Sequence, residues 1–458
     1  MRVIGARRWV VAGLAACLLP TPGLFGATAV AAEPDIVDQL DSVDGLTVVA
    51  EQESAEPNHR AFVLEFQQPV DHRDPAGPAF QQRFQLLHRD TARPMVLHTT
   101  GYNMPAEVTR SEPTELLGGN QISVEQRFFE PSRPDPADWS TLDIWQAATD
   151  HHAIVTALRE VYAANWISTG ASKGGMASVY HRRFYPDDVD GTVAYVTPNI
   201  ANNRDNSAYD DFFDSVGTPE CRESLAGLQR EALTRRTTLV ERYERFAENN
   251  QLSFDEVFGS ADRAFEMAVL DTVWGFWQHR GVADCAAIPP RTASDAEIFG
   301  YLDEVTGFAS GLSYYTDEML LWLTPYYYQS ATQLGWPAPD FPWLADLRRY
   351  PGLYQANSNL PAELRAPHDP VPMRDIDHWV RQRSSEMLFV NGANDPWNAK
   401  PYQPSRHDSY RFTAPGGNHD TSIATLDRPD ARAAASAIQR WAEVEPPLRV
   451  VAELTRGR

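Results

Sequence analysis

The sequence predicts an α/β fold, a largely parallel sheet covered by helices and interrupted by a long helical insertion. Three observations carry this reading. Short β-rich runs alternate with helical stretches as far as about residue 200, an aromatic-rich helical stretch occupies 201–375, and strand-like sequence returns at 387–390.

Segments 61–66, 84–87 and 94–99 are apolar runs with alternation or β-rich composition, bounded by Asp, Pro, Gly and Arg clusters, and are predicted strands. A further strand is expected over 121–129. Across 142–162 the residues Ile144, Ala147, Ala148, Ile154, Ala157 and Leu158 fall near helical spacing, which predicts a helix. The apolar run 165–168 leads as a strand into Gly170-Ala171-Ser172-Lys173-Gly174-Gly175. Helical character follows over 176–184, and 189–196 resumes a strand before Pro198. Such alternation implies parallel strands joined by crossover helices.

Within the insertion, 222–249 is charged and helical, and 265–279 and 297–323 carry aromatic residues at helical spacings. Pro337, Pro339 and Pro342 mark an irregular segment near its end. After 387–390, a strand is expected at 409–413 and an alanine-rich helix at 429–441, whereas the apolar stretch 448–454 receives no assignment. The organisation read from this order is an export segment at 1–31, a core in two parts at 32–200 and 376–458, and a helical cap at 201–375.

A chain of 458 residues exceeds one average domain, which accords with a core plus a second lobe. With 43% hydrophobic and 22% charged residues, the composition is globular and excludes collagen-like and disordered classes. The net charge of −22 argues against nucleic acid as a partner, because phosphates require a basic face. An acidic surface instead favours cationic substrates such as peptide amino termini.

Arg2, Arg7 and Arg8 precede an apolar stretch at 9–19, and Ala29, Val30 and Ala31 suit cleavage, so 1–31 reads as an export signal and the mature protein as secreted. Pro20 and Pro22 cut the apolar run short of the roughly 20 residues a membrane span needs, so no stable membrane association is expected. Leu14-Ala15-Ala16-Cys17 offers lipoprotein cleavage as a second reading, which the apolar sequence after Cys17 disfavours. Cys17 leaves with the signal. Cys221 and Cys285 then remain as a pair in an oxidising compartment, where a disulfide is preferred over two free thiols. Closing that loop of about 64 residues contributes roughly 4 kcal/mol by loop entropy.

Gly170-Ala171-Ser172-Lys173-Gly174 matches the G-x-S-x-G nucleophile elbow, whose glycines admit a tight strand-to-helix turn that exposes a strained serine. The flanking strand and helix supply the right context. The bland alternative is a structural glycine turn with an idle serine. A serine hydroxyl is a weak nucleophile until a base accepts its proton, and the base needs an acid to orient it. In the α/β-hydrolase fold these follow in the order serine, acid, histidine. Asp395 lies in the loop that begins as 387–390 ends, and His419 lies in Gly416-Gly417-Asn418-His419-Asp420 after the next strand. The expected triad is Ser172, Asp395 and His419.

The oxyanion donors expected from position are the backbone N–H of Lys173 and a second donor at Gly101 or Tyr102. His98, His151 and His152 read as structural. No H-E-x-x-H or clustered His/Cys spacing occurs, so metal has little support and no cofactor is required. The elbow itself does not separate a peptidase from an esterase or lipase using the same triad.

The run from Trp166-Ile167-Ser168-Thr169 through Gly170-Ala171-Ser172-Lys173-Gly174-Gly175 resembles the active-site segment of secreted bacterial prolyl tri- and tetrapeptidyl aminopeptidases. So do Glu125-Gln126-Arg127-Phe128-Phe129, Asn391-Gly392 with Asp395-Pro396-Trp397, and Asn418-His419-Asp420. Prolyl carboxypeptidase and its dipeptidyl-peptidase relatives are more distantly similar, and usually place tyrosine after the nucleophile where this chain has Lys173. The resemblance implies release of tri- or tetrapeptides from free N-termini, with proline before the cut bond. Peptide and protein N-termini would be the substrates.

A proline-selective site needs an apolar, aromatic-lined pocket, for which Trp274, Trp277, Tyr314, Tyr315, Trp322 and Tyr326 to Tyr328 are available. An exopeptidase also needs a group to hold the substrate ammonium. Glu125, Glu130, Asp210 and Asp211 are candidates, with solvated carboxylates or ion-pair partners as the alternative reading.

Overall fold

A computed structural model describes residues 34–305 and 311–444. The export segment 1–31 with Cys17, and the stretch 448–454, lie outside the described residues. Nine strands form one sheet among those described: β1 (Leu46–Gln52), β2 (Arg60–Pro69), β3 (Ala79–His88), β4 (Met95–Thr99), β5 (Asn120–Val124), β6 (Trp166–Ala171), β7 (Gly191–Tyr195), β8 (Met387–Gly392) and β9 (Tyr410–Ala414). Their order is β1-β2-β3-β5-β4-β6-β7-β8-β9. Every pairing from β5 to β9 is parallel, as the alternating pattern requires, whereas β1, β2, β3 and β5 pair antiparallel.

The helices in chain order are α1 (Ile36–Asp41), α2 (Glu112–Leu117), α3 (Ile144–Leu158), α4 (Lys173–Phe184), α5 (Ser207–Ser215), α6 (Pro219–Thr234), α7 (Arg236–Asn250), α8 (Ala261–His279), α9 (Asp295–Glu304), α10 (Asp317–Trp322), α11 (Thr324–Gln329), α12 (Val371–Arg383) and α13 (Arg428–Trp441). Alternation along the strands shows how the layers divide. Val193, Leu388 and Val390 pack with α2 and α13, while their neighbours Ala194, Met387 and Phe389 pack with α3, α4 and α12. Successive strand residues face opposite sides, so the sheet is covered on both. Strands β6, β7 and β8 are accordingly buried almost throughout.

The helices α5 to α11 follow β7 and build a core of their own, rich in aromatic residues such as Phe265, Trp274, Phe276 and Tyr327. The Cys221–Cys285 disulfide is formed and ties the first turn of α6 to the segment after α8.

Several local expectations are corrected. The strand expected over 121–129 ends at Val124. Phe128 adopts a left-handed φ of 72°, and the buried Arg127 turns to Asp150 on α3, with N–O distances of 2.6 and 2.7 Å. The helix expected over 222–249 is two helices, because Arg235 leaves helical geometry and spends its guanidinium on Ala293 O and Asp295. The helical stretch expected over 297–323 is α9 and α10 with non-helical chain before α10. Strand β1 carried no sequence signal: beyond Leu46 it is mostly exposed, and Glu51 serves a surface pair with Arg60.

Candidate active site

Ser172 lies between the last residue of β6 and the first of α4, with φ 53° and ψ −124°. A non-glycine residue in this region is strained and persists only where its surroundings enforce it. Here Ser172 N–H donates to Tyr195 O at 3.0 Å, and Ser172 O accepts from Met176 N–H at 3.0 Å. The two elbow glycines are required by close approach. A Cβ on Gly170 would stand 2.4 Å from the Gly174 carbonyl carbon, and one on Gly174 would stand 2.3 Å from Thr99 O. The end of β4 therefore packs directly on the elbow, with Thr99 Oγ1 donating to Gly174 O at 2.7 Å.

Asp395 follows β8 by three residues and is fully buried. One carboxylate oxygen accepts from Trp397 N–H at 3.0 Å, and the other accepts from His419 Nδ1 at 2.7 Å. That bond assigns the ring proton to Nδ1 and leaves Nε2 as the basic atom. His419 Nε2 is buried without a hydrogen-bond partner among the described residues. His419 lines a pocket with Gly170 and Ala171, the residues leading to the nucleophile, and its backbone N–H donates to Gln278 O on α8 at 3.0 Å. The three residues named from the sequence thus sit at the ends of β6, β8 and β9, on one edge of the sheet.

The Lys173 N–H is the first of α4, one of the donors a helix start leaves without an intrahelical acceptor. Tyr102 presents a different group from the one its position suggested. Its backbone N–H donates to Thr100 Oγ1 at 3.3 Å, while its phenol faces Ser172. Burial pushes that phenol far above its usual pKa, only partly opposed by the Ser172 contact, so it stays a proton donor. Sequence reasoning also passed over the Lys173 side chain. It is buried, donates to Gly101 O, and lies 5.5 Å from the Tyr102 ring and 5.8 Å from the Phe129 ring. Burial lowers its ammonium pKa from 10.5 to about 7. It props the 101–102 turn against the elbow.

A cavity of about 360 Å³ opens at Ser172. Of the aromatic residues named from the sequence, Trp274, Tyr314, Tyr315, Trp322, Tyr326 and Tyr327 line it, whereas Trp277 and Tyr328 do not. Trp336 and Trp397 also line it, and Trp397 stacks edge-on between Trp336 and Trp274 at 5.6 and 4.7 Å.

None of the four carboxylates named for the substrate amine is among the residues lining this cavity. Glu125 is fully buried and committed to Arg83, Ser132 Oγ and Met104 N–H at 3.1, 2.6 and 3.1 Å. Glu130 is exposed beside Arg133 at 3.1 Å. Asp210 accepts from Asp340 N–H at 3.2 Å, and Asp211 on the same helix is exposed. The acidic side chain that does line the cavity is Asp271 on α8, which stands three residues before Trp274 and so on the same helix face.

His98 bonds to Ser123 Oγ at 3.1 Å, and burial lowers its pKa to about 4; His152 bonds to Asp188 at 2.9 Å. His151 is buried, which lowers its pKa to about 3. No group of three or more His, Cys, Asp or Glu able to hold a metal occurs among the described residues.

The strand order, the serine on its strained turn and the helical insertion after β7 define a serine hydrolase of the α/β-hydrolase fold. The family can be named as well: residues 29–454 match the PS-10 peptidase S37 family, and the chain belongs to it. It is a serine peptidase. Over 442 residues it is 48% identical to the prolyl tri/tetrapeptidyl aminopeptidase of Streptomyces mobaraensis, covering 94% of this chain and 91% of that one. Among solved structures, it is similar to proline iminopeptidase of Mycobacterium smegmatis at 13% identity, with 86% and 99% of the chains covered and a TM-score of 0.36. Feruloyl esterase B of Aspergillus oryzae matches at 11% identity, 90% and 91% coverage and a TM-score of 0.38. Family membership is consistent with an extracellular protein. Among the described residues no helix is long and apolar enough to cross a membrane.

Proposed function

We propose that the protein is an exopeptidase that releases tri- or tetrapeptides from free N-termini by cutting after proline, through an acyl-enzyme on Ser172. The observation that carries this is the aromatic cavity opening at the nucleophile, whose apolar walls suit a pyrrolidine ring. The near relative in Streptomyces mobaraensis, a prolyl tri/tetrapeptidyl aminopeptidase by name, supports the same reading.

In this mechanism Ser172 Oγ attacks the proline carbonyl carbon as His419 Nε2 takes the hydroxyl proton. The resulting oxyanion is met by the Lys173 N–H and the Tyr102 hydroxyl. Collapse of the tetrahedral intermediate breaks the C–N bond, and His419 returns the proton to the leaving amine. Water then attacks the acyl-enzyme with His419 again as base, freeing the peptide and restoring Ser172. Asp395 holds the imidazole in its productive tautomer and stabilises the imidazolium.

The export reading of 1–31 supports secretion of the mature enzyme. The proposed division is core at 32–200 and 376–458 with the cap at 201–375. Helix α12 straddles the second boundary, since it starts at Val371 and packs with α3 and α4.

The test is mass spectrometry of products from matched peptides with proline third, one with a free amino terminus and one acetylated, beside a short-chain ester. Cleavage after proline in the free peptide alone is expected. Robust ester turnover with neither peptide cut would overturn the peptide assignment in favour of an esterase.

A further inference from the structure

Helix α8 turns Asp271, Trp274 and Gln278 toward the cavity at Ser172. Positions i, i+3 and i+7 share one helix face. At Gln278 that face meets the catalytic loops, where its carbonyl accepts from His419 N–H at 3.0 Å and its side-chain oxygen accepts from Trp397 Nε1 at 2.9 Å. Asp271 lies seven residues earlier, which at 1.5 Å per residue is about 10 Å along the axis from the histidine loop.

Asp271 is the one charged residue among those described that line this cavity. It is 7% exposed and accepts a hydrogen bond from the Tyr354 hydroxyl at 2.6 Å. Burial pushes the Tyr354 phenol far above its usual pKa, and the nearby Asp271 charge adds to this, so the phenol remains a neutral donor that fixes the carboxylate. The phenol of Tyr315 also bonds to Asp271, and those of Tyr314 and Tyr326 stand near it. A buried carboxylate that opens onto this cavity suits an ammonium, its opposite charge.

We propose that Asp271 binds the α-ammonium of the peptide substrate, and that α8 thereby measures the length released. The proposal rests on the aminopeptidase reading and adds its recognition element. An extended chain rises about 3.3 Å per residue, so about three residues span the 10 Å between the anchor and the catalytic end of the helix. Two residues fall short of it, and a chain with many residues before its proline cannot place an ammonium at Asp271 and its scissile carbonyl at Ser172 together.

The experiment measures kcat/KM for wild type and Asp271→Asn on peptides with proline at positions two to five, each free and acetylated. Wild type should favour the free amine and proline at position three. In Asp271→Asn the ratio of free to acetylated kcat/KM should fall on the order of 100-fold, the size expected when one partner of a buried charge pair is removed, and the length preference should flatten. The loss should lie mainly in KM. A ratio and length profile equal to wild type would overturn the proposal. Should Asp271→Asn fail to fold, Asp271→Glu keeps the charge but moves it by one methylene. The preference for proline at position three must then weaken, and an unchanged profile overturns the proposal. Absence of cleavage after proline in wild type would instead remove the aminopeptidase reading itself.

Discussion

Ser172→Ala is expected to lower turnover of a free peptide with proline third by a factor on the order of 10⁶, as seen where a serine nucleophile is removed from a comparable triad. The reason is local. Both halves of the acyl-enzyme route need Ser172 Oγ, which forms the ester with the proline carbonyl and is released from it on hydrolysis. The substitution should leave the fold intact, because the hydrogen bonds that hold residue 172 run through its backbone to Tyr195 and Met176. Substrate affinity should survive too, since the aromatic cavity and Asp271 are untouched. Turnover of pure mutant protein is the check, and a near-normal value would remove Ser172 from the mechanism.

Asp395→Asn should lower kcat by about 10⁴ while leaving KM little changed. Asp395 is fully buried and receives two hydrogen bonds, from His419 Nδ1 and from Trp397 N–H. An asparagine can still accept one of them with its oxygen. If that oxygen stays with Trp397 N–H, the amide nitrogen faces Nδ1 and donates to it, so the ring proton moves to Nε2. The base is then protonated where it should accept. The imidazolium formed on proton transfer also loses its anionic neighbour. Steady-state kinetics of the variant check this, and a fall of less than tenfold would show that Asp395 does not orient the base.

Ser172, Asp395 and His419 could be named from the sequence because the α/β-hydrolase order is serine, acid, histidine and each follows a strand candidate, Ser172 in a glycine-rich elbow and the other two in loops of Gly, Asn and Asp. The central strands β6, β7 and β8 were legible because burial on both faces makes them short, largely apolar runs. In the antiparallel edge β2 and β3 were marked as strands, at 61–66 and 84–87, but β1 was not. Strand β1 is largely exposed and spends its residues on surface charge, so it lacks the alternation that marks a half-buried strand.

The carboxylates show the limit most clearly. Glu125 stood in a conspicuous motif beside the strand ends, yet its partners Arg83 and Ser132 come from separate segments and turn it into an interior clamp. Asp271 looked like one acid in a helix of mixed residues. What sets it apart is a tyrosine 83 positions away and a cavity assembled from several helices. A spacing rule along α8 could have pointed to it, because it shares a face with Trp274. The Tyr102 phenol was hidden likewise: position in the chain suggested its backbone N–H, and only the fold turns the side chain toward Ser172.

The most direct test of the account is to treat the wild-type enzyme with a fluorophosphonate and map the adduct by peptide mass spectrometry, in parallel with Asp395→Asn. The account predicts a single adduct on Ser172, formed rapidly in wild type and far more slowly in the variant. An adduct on another residue, or none in folded protein, would contradict it.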